Sequence, residues 1–531
     1  MFRPYHFCRL LSESGRQSAG KGIRPYRWTG YAFASMSLAG VALTTIDSPI
    51  QREKPVDSFG VSQASTLQLL RSYLVWSVLG LPSLVDSSNS ILDFLLHSRI
   101  PLVPTITEAV VRATFFAQFI PGETALECLP AMEALRRNNI GSALNYSAEA
   151  DVDVNADELD VESRRFREIE RALDVQGEFE QRMQAEGWAP GSSAFAVKVS
   201  GLIDHDVMER ASSVLNQRHA SNTARIGAQV PNPGFPSEDD IQIIAPITAG
   251  EKRANETGLT SEDLRQLQLL WHRLDSIAER ARRNGMKYNR PAPSASTEKG
   301  TVSWKGPVIY GTYQSYLMRQ PKFLQAAIQH AEANGYALGL KVVRGGYIVK
   351  ERAVAEKAGK PGNGAVWANK TLTDASYNGT VETVLETLKS QLARETASPL
   401  AVVFGTHNAD SVKIIIETLE AKGLASRTSN GTLRLRKNVE GRVNVAQLYD
   451  LSDIIRASFE PSRSAMSMCF IAYGTLREVG SHQRDTLIHQ TMPFLSRRAI
   501  ENKSIMSGPS GAAAERRRVG SALRQRFSLG W

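Results

Sequence analysis

The chain has 531 residues, 42% of them apolar and 22% charged, which supplies a sizeable core and excludes a disordered tail protein or a disulfide miniprotein. At roughly 150 residues per domain this length holds about three or four domains, fewer if one is a barrel of about 250 residues. A total of 63 Lys and Arg against 54 Asp and Glu gives +9, a balance that would suit a polyanionic partner if it were spread over the body.

It is not spread. The first thirty residues carry Arg3, Arg9, Arg16, Lys21, Arg24 and Arg27 against Glu13. That Arg-rich, acid-poor, Ser-containing composition is that of a mitochondrial transit peptide. Arg516, Arg517, Arg518, Arg524 and Arg526 lie in the last sixteen residues and read as a solvated basic tail over 508–531. The two ends carry about the whole excess, so the body is close to neutral and is not expected to bind nucleic acid. Cys8, Cys128 and Cys469 are widely spaced and odd in number, giving neither a disulfide framework nor a metal site. Trp28 to Ile46 is uncharged and near the length of a bilayer span, but it is rich in small residues. It is either a weak membrane anchor or a continuation of the targeting segment.

In chain order, Thr66 to Asn139 has helical periodicity, as in the run Ile106 to Phe119, so 47–140 is a helical N-terminal region. Ala143 to Ser147 reads as a strand, Glu162 to Ala185 as a charged surface helix, and Phe195 to Ser200 as a strand carrying Lys198. Gln217 to Gly258 is polar, punctuated by Pro231, Pro233 and Pro236, and reads as an insertion. Thr260-Ser-Glu-Asp263 has the character of an N-cap opening a helix through Arg282. Lys287 to Gly306 has little to bury. Val308 to Tyr310 is a strand leading to a helix around Tyr316, and Phe323 to Ala333 is helical. Leu338–Val343, Leu400–Phe404, Val443–Leu448 and Met466–Ile471 read as strands, with helices over Val381–Arg394 and Asp410–Lys422 and a last one from Met492. Strands alternating with helices imply parallel βαβ units. No glycine-rich turn follows any strand, so a closed (βα) barrel fits better than a doubly wound sheet, with its chemistry at the strand C-terminal ends.

Three clusters fall at those ends. Leu340-Lys-Val-Val-Arg-Gly-Gly-Tyr347 places two cations on a strand and its exit, with an aromatic beyond. Phe404-Gly-Thr-His-Asn408 ends a strand in polar residues before a helix N-terminus, either as a cap or as a phosphate-receiving site. Pro493 to Asn502 contains Arg497, Arg498 and Glu501, either a helix-surface ion pair or a bidentate grip on a carboxylate.

Taken in order, the Lys198 strand, Tyr310-Gly-Thr-Tyr-Gln-Ser-Tyr316, Lys341 to Tyr347, Thr406-His-Asn408, Ala446-Gln-Leu448 and Arg497-Arg498-Ala-Ile-Glu501-Asn502 resemble mitochondrial proline dehydrogenase. The similarity is strongest to the fungal type and covers most of residues 66–507. The resemblance implies a distorted (βα)8 barrel over 141–507 that binds FAD. It also implies oxidation of L-proline to Δ1-pyrroline-5-carboxylate, with electrons passed to ubiquinone at the matrix side of the mitochondrial inner membrane. By motif, Arg497, Arg498 and Lys198 would hold the substrate carboxylate, Glu501 would fix the arginine pair, and Tyr347 would pack on the substrate ring beside Leu448. Lys341 would lie near the reactive edge of the flavin. Gln314 would hydrogen-bond the ring, Gln447 would belong to the cofactor site, and Arg344, Thr406 and His407 would contact the ribityl and phosphate portion.

The sequence departs from that pattern. Gly285-Met286 runs into Lys287-Tyr-Asn-Arg-Pro291 with no Asp-Ala-Glu, so the barrel is expected to be short of about one βα unit, with unpaired edges. Gly480 to Thr491 reads as an insertion just before the arginine pair. Phe470 and Phe494 stand where the family usually has tyrosines, and Asp450 where it usually has glycine. Three functions are therefore open: a proline-oxidising flavoenzyme, a catalytically impaired relative acting as a binding or interaction protein, and a flavin barrel for another cyclic amino acid such as hydroxyproline.

Overall fold

In the computed structural model the described residues are 65–100, 102–146, 158–188, 193–226, 259–285, 287–288, 306–346, 348–357, 365–395, 398–429, 432–449, 467–473 and 512–528. The leader with its Trp28–Ile46 stretch, the Gly480–Thr491 segment and the helix expected from Met492 lie outside them.

The apolar runs become strands of one parallel sheet: β1 (Ile140–Tyr146), β2 (Ser193–Ala196), β3 (Lys287–Tyr288), β4 (Tyr310–Gln314), β5 (Gly339–Val343) and β6 (Ala401–Gly405). A small antiparallel hairpin follows, β7 (Ala425–Arg427) with β8 (Leu433–Leu435), and then β9 (Val443–Leu448) and β10 (Ser467–Tyr473) return to the main sheet. The hydrogen-bonded order is β3-β2-β1-β10-β9-β6-β5-β4. The first full strand thus pairs with the last, from Ile140 opposite Ser467 to Tyr146 opposite Tyr473. This is the cyclic order of a (βα)8 barrel, cut between β3 and β4.

Side-chain alternation shows that the sheet curls. On β6, Val402 and Phe404 face outward onto the Lys370–Ala393 and Ala409–Ala421 helices, in a core that includes Tyr377, Val384, Val412 and Ile415. Ala401 and Val403 face the other way and meet Ala143, Tyr310, Ala446 and Met468 in a separate cluster. Those six side chains come from β1, β4, β6, β9 and β10, which only a curled sheet can bring together.

The expected deficit falls at the third strand. β3 touches β2 through two positions only, Ala194 with Lys287 and Phe195 with Tyr288, so the segment expected to have little to bury contributes a stub. Seven full strands and this stub make the sheet, and among the described residues no ladder joins β3 to β4.

Other boundaries shift for identifiable reasons. β2 begins and ends earlier than the apolar run suggested, and Lys198 sits beyond it as the residue before a short 3-10 turn, Val199–Gly201, where the Gly201 amide donates to the Lys198 carbonyl. The polar stretch taken as an insertion from Gln217 is helical as far as Ile226, because the helix His205–Ile226 runs through it. Tyr316 lies in a turn, not a helix: its amide donates to the Arg344 carbonyl at 2.9 Å, tying the exit of β4 to the exit of β5.

The C-terminal segment is not a solvated tail. Ala512–Ser528 is a helix that buries Ala512, Val519, Ala522 and Leu523 against Leu69, Val75, Trp76 and Leu79 of the helix Thr66–Leu79. Its apolar positions recur at helical spacing and its arginines occupy the remaining faces, a pattern that the density of charge obscures. The helix Ser261–Arg283 begins as expected, with a reciprocal capping box between Thr260 and Asp263.

Candidate active site

Because every strand of the main sheet runs parallel, the last residues of β2, β4, β5, β6 and β9 share one end of the barrel. Lys198, Gln314, Arg344, Thr406, His407, Gln447 and Leu448 all lie there. Register fixes their spacing: Gln314 is opposite Val343, Val343 opposite Gly405, and Leu448 opposite Phe470.

Lys341 occupies the middle of β5 and alternates with the outward Leu340 and Val342, so its side chain enters the barrel. There its Nζ stands 4.1 Å from the centroid of the Phe470 ring. β5 and β10 are not neighbours in the sheet, so this contact spans the interior. The same two side chains line a small cavity of about 20 Å³ with Ala194, Tyr310, Val403 and Met468, a volume that holds about one water. A partly desolvated ammonium over an aromatic face is a stabilised cation.

Arg344, just past β5, is the hub of the polar end. Its Nε donates to Asp374 Oδ1 at 2.6 Å, Nη1 to Thr406 Oγ1 at 2.8 Å and Nη2 to Ser411 Oγ at 2.7 Å. The guanidinium also lies 4.3 Å from the centroid of the buried Tyr377 ring. Burial works to raise the Asp374 carboxyl, but hydrogen bonds from Lys370 and Arg344 outweigh it and hold the group below the usual carboxylate range. Burial pushes the Tyr377 hydroxyl well above its ordinary value. Gly345, next in sequence, has φ +111°, and a Cβ there would sit 1.8 Å from the Tyr316 ring. Only glycine allows the chain to turn away from Arg344 against that ring.

Thr406, His407 and Gln447 join β6 to β9. The Thr406 amide donates to the Ala446 carbonyl at 3.1 Å and Gln447 Nε2 donates to the Thr406 carbonyl at 3.2 Å. The Leu448 amide donates to His407 Nε2 at 3.2 Å. A residue expected on the cofactor side thereby fixes the backbone of one expected on the substrate side.

The segment from residue 128 to 509 matches the family model described as proline dehydrogenase. The chain belongs to the proline dehydrogenase family. Proline dehydrogenase 1, mitochondrial, of Dictyostelium discoideum is 22% identical over 461 residues, which cover 84% of this chain and 70% of that protein. The hydroxyproline dehydrogenase of Mus musculus is 24% identical over 458 residues, covering 83% and 88% respectively. Among solved structures, proline utilization A from Bdellovibrio bacteriovorus, inactivated by N-propargylglycine, matches with a TM-score of 0.52 at 13% identity, covering 86% of this chain and 42% of that one. This chain thus spans about two-fifths of that PutA chain, and the likeness concerns the fold.

Within the proline dehydrogenase frame, eight of the twelve expected site residues lie among the described residues. Tyr347, Arg497, Arg498 and Glu501 lie outside the described residues, as do Asp450 and Phe494. Four residues that anchor the polar end were not expected: Asp374, Tyr377, Asn378 and Ser411. A signal for Asp374 was present, since Lys370 and Asp374 stand four apart directly after Asn369, whose side chain caps the helix.

The described residues fit a bound flavin. Gln447 is buried, and its Oε1 has no partner among the described residues; Ser315 Oγ is in the same state. By strand alternation Gln447 shares the outward face of β9 with Val443 and Val445, so the fit rests instead on Gln314, which alternates with the outward Tyr313 and shares the inward face of β4 with Tyr310. Arg344 and the N-terminus of the Ala409–Ala421 helix add the cationic character that a phosphate requires.

Proposed function

We propose that this chain is an FAD-dependent proline dehydrogenase that oxidises L-proline to Δ1-pyrroline-5-carboxylate in the mitochondrion, passing the electrons to ubiquinone. The observation that carries the reading is the inward Lys341 in a barrel of this family, with Gln314, Arg344, Thr406, His407 and Gln447 gathered at the same strand ends. The mitochondrial naming of the relatives in Dictyostelium, Caenorhabditis elegans and Arabidopsis agrees with the basic leader.

Bound FAD would supply the two-electron acceptor. Proline loses a hydride from the ring carbon beside nitrogen and a proton from nitrogen, and a C=N bond forms. For this the chain's own residues must hold the carboxylate (Lys198, Arg497 and Arg498, with Glu501 fixing the pair) and pack Tyr347 on the ring beside Leu448. Orientation of that kind is the protein's share of flavin chemistry. Lys341 places positive charge where negative charge develops on hydride arrival. Gln314 would hydrogen-bond the flavin ring, Gln447 would belong to the cofactor site, and Arg344, Thr406 and His407 would contact the ribityl and phosphate portion.

The test is direct. Purified protein, incubated with FAD and then freed of unbound FAD, is expected to stay yellow, and anaerobic proline to bleach the flavin band faster than hydroxyproline does. A folded protein that takes up no FAD rejects the reading. Faster bleaching by hydroxyproline would move it towards the second substrate, which the Mus musculus relative is named for.

Association with the inner membrane on the matrix side belongs to the same proposal. No helix among the described residues is long and apolar enough to cross a membrane. However, the helix Thr66–Leu79 exposes Leu67 (76%), Leu70 and Leu74 on the face opposite its buried Leu69 and Trp76, and Phe94 is 76% exposed on the helix Pro82–Leu96. Such stripes suit a peripheral docking face. Flotation with anionic vesicles is expected to carry the protein, and a Leu67→Glu, Leu70→Glu, Leu74→Glu variant is expected to float less. Equal flotation removes this face from the proposal.

A further inference from the structure

Arg344 is gripped from two separate βα units. Asp374 comes from the first turns of the helix Lys370–Ala393, which follows β5, and Ser411 from the first turn of the helix Ala409–Ala421, which follows β6. The Ser411 hydroxyl donates to Asn378 Oδ1 at 2.8 Å, so it is an oxygen lone pair that faces Arg344 Nη2. Thr406 Oγ1 accepts both from Arg344 Nη1 and from the Asn408 amide at 3.1 Å. With Tyr377 against its face, the guanidinium is fixed in plane and in rotation. A guanidinium has five N–H donors; three are engaged here, and the other two are uncommitted among the described residues.

We propose that Asp374 is the positioning residue for Arg344: its carboxylate takes Nε and turns the guanidinium so that the remaining donors face the bound cofactor's ribityl and phosphate oxygens. The inference rests on the flavin reading above and adds to it a residue that never touches the cofactor. Asp374 is the one acidic partner of Arg344 among the described residues, and it is shared with Lys370. Thr406 and Ser411, both neutral, can accept from the guanidinium but cannot hold it electrostatically. Lys370 approaches the opposite carboxylate oxygen, Oδ2, with most of its side chain in solvent. It steadies the carboxylate without contacting Arg344, which allows the two contributions to be separated.

The experiment uses the full chain stripped of flavin, titrated with FAD by fluorescence quenching, with the apo-protein melting temperature measured in parallel. Loss of a charge-assisted bond to Arg344 is expected to weaken FAD binding about tenfold or more in Asp374→Asn. Asp374→Glu is expected to recover part of that loss, and Lys370→Met, which keeps the bond to Arg344, to bind as the wild type does. An Asp374→Asn protein that melts lower but binds FAD equally well overturns the inference, because Asp374 then only ties a helix to a strand. The same holds if Lys370→Met weakens binding as much as Asp374→Asn. Wild-type protein that takes up no FAD overturns the flavin reading itself, and the inference with it.

Discussion

Replacing Lys341 with Met is expected to lower kcat for proline oxidation by about 100- to 1,000-fold, the range found when one preorganised charge-stabilising group is removed from an active site. Methionine keeps the length and apolar packing of the stem, so the cavity shared with Tyr310, Val403, Met468 and Phe470 stays filled. What disappears is the ammonium 4.1 Å from the Phe470 ring. On the proposed role of that charge in hydride transfer, the loss should fall on kcat and leave the KM for proline much less changed. Lys341→Arg should retain part of the rate, limited by the bulk of a guanidinium in a cavity of about 20 Å³. Anaerobic flavin reduction by stopped flow checks the step itself. A Lys341→Met enzyme reducing its flavin at the wild-type rate would remove Lys341 from the chemistry.

The parts of this site that could be read from sequence share a physical origin. Arg344, Thr406, His407, Gln447 and Leu448 each end a strand whose buried apolar run is unmistakable, so the polar residues stand out at its exit. Ala401 to Gly405 is nearly all buried, with Thr406 the first hydroxyl beyond it. Asp374, Tyr377 and Ser411 had no such frame. They lie in the opening turns of helices, where Asp, Ser and Asn are ordinary caps. The helix bearing Asp374 starts eleven residues before the expected Val381, because Ser376, Asn378, Gly379 and Thr380 are poor helix formers. Burial of Thr373, Tyr377 and Thr380 against the barrel overrides that local preference. The stub at β3 was legible as a deficit but not as a strand, since two paired residues leave no periodicity to detect. The C-terminal helix was hidden in the opposite way, by charge density around an apolar stripe only four residues strong.

The largest stability effect is expected at Glu180. Its carboxylate is fully buried and accepts a hydrogen bond from Nη2 of Arg136, itself buried, which also reaches Ser193 Oγ at 3.3 Å. This pair links the helix Leu129–Arg137, the long helix Glu158–Ala185 and the first residue of β2, the strand that leads to Lys198. Glu180→Ala leaves an uncompensated guanidinium in the interior, and the expected cost is about 3–5 kcal/mol. The pair is also incompletely satisfied, since Arg136 Nη1 and Glu180 Oε2 have no hydrogen-bond partner among the described residues. Coulomb attraction therefore offsets two desolvated ions with only part of the hydrogen bonding that such a pair can make. It follows that removing both charges should be far milder than removing one. A double variant, Arg136→Met with Glu180→Leu, is expected to recover most of the loss and to approach or exceed wild-type stability. Urea unfolding of the two single variants and the double, on one background, measures the coupling. A Glu180→Ala protein within about 1 kcal/mol of wild type would mean that water reaches Arg136 and that the pair is not buried in solution. Recovery in the double variant, accompanied by unchanged proline oxidation, would show that apolar packing beside β2 can replace the ion pair and that neither charge takes part in the chemistry beyond it.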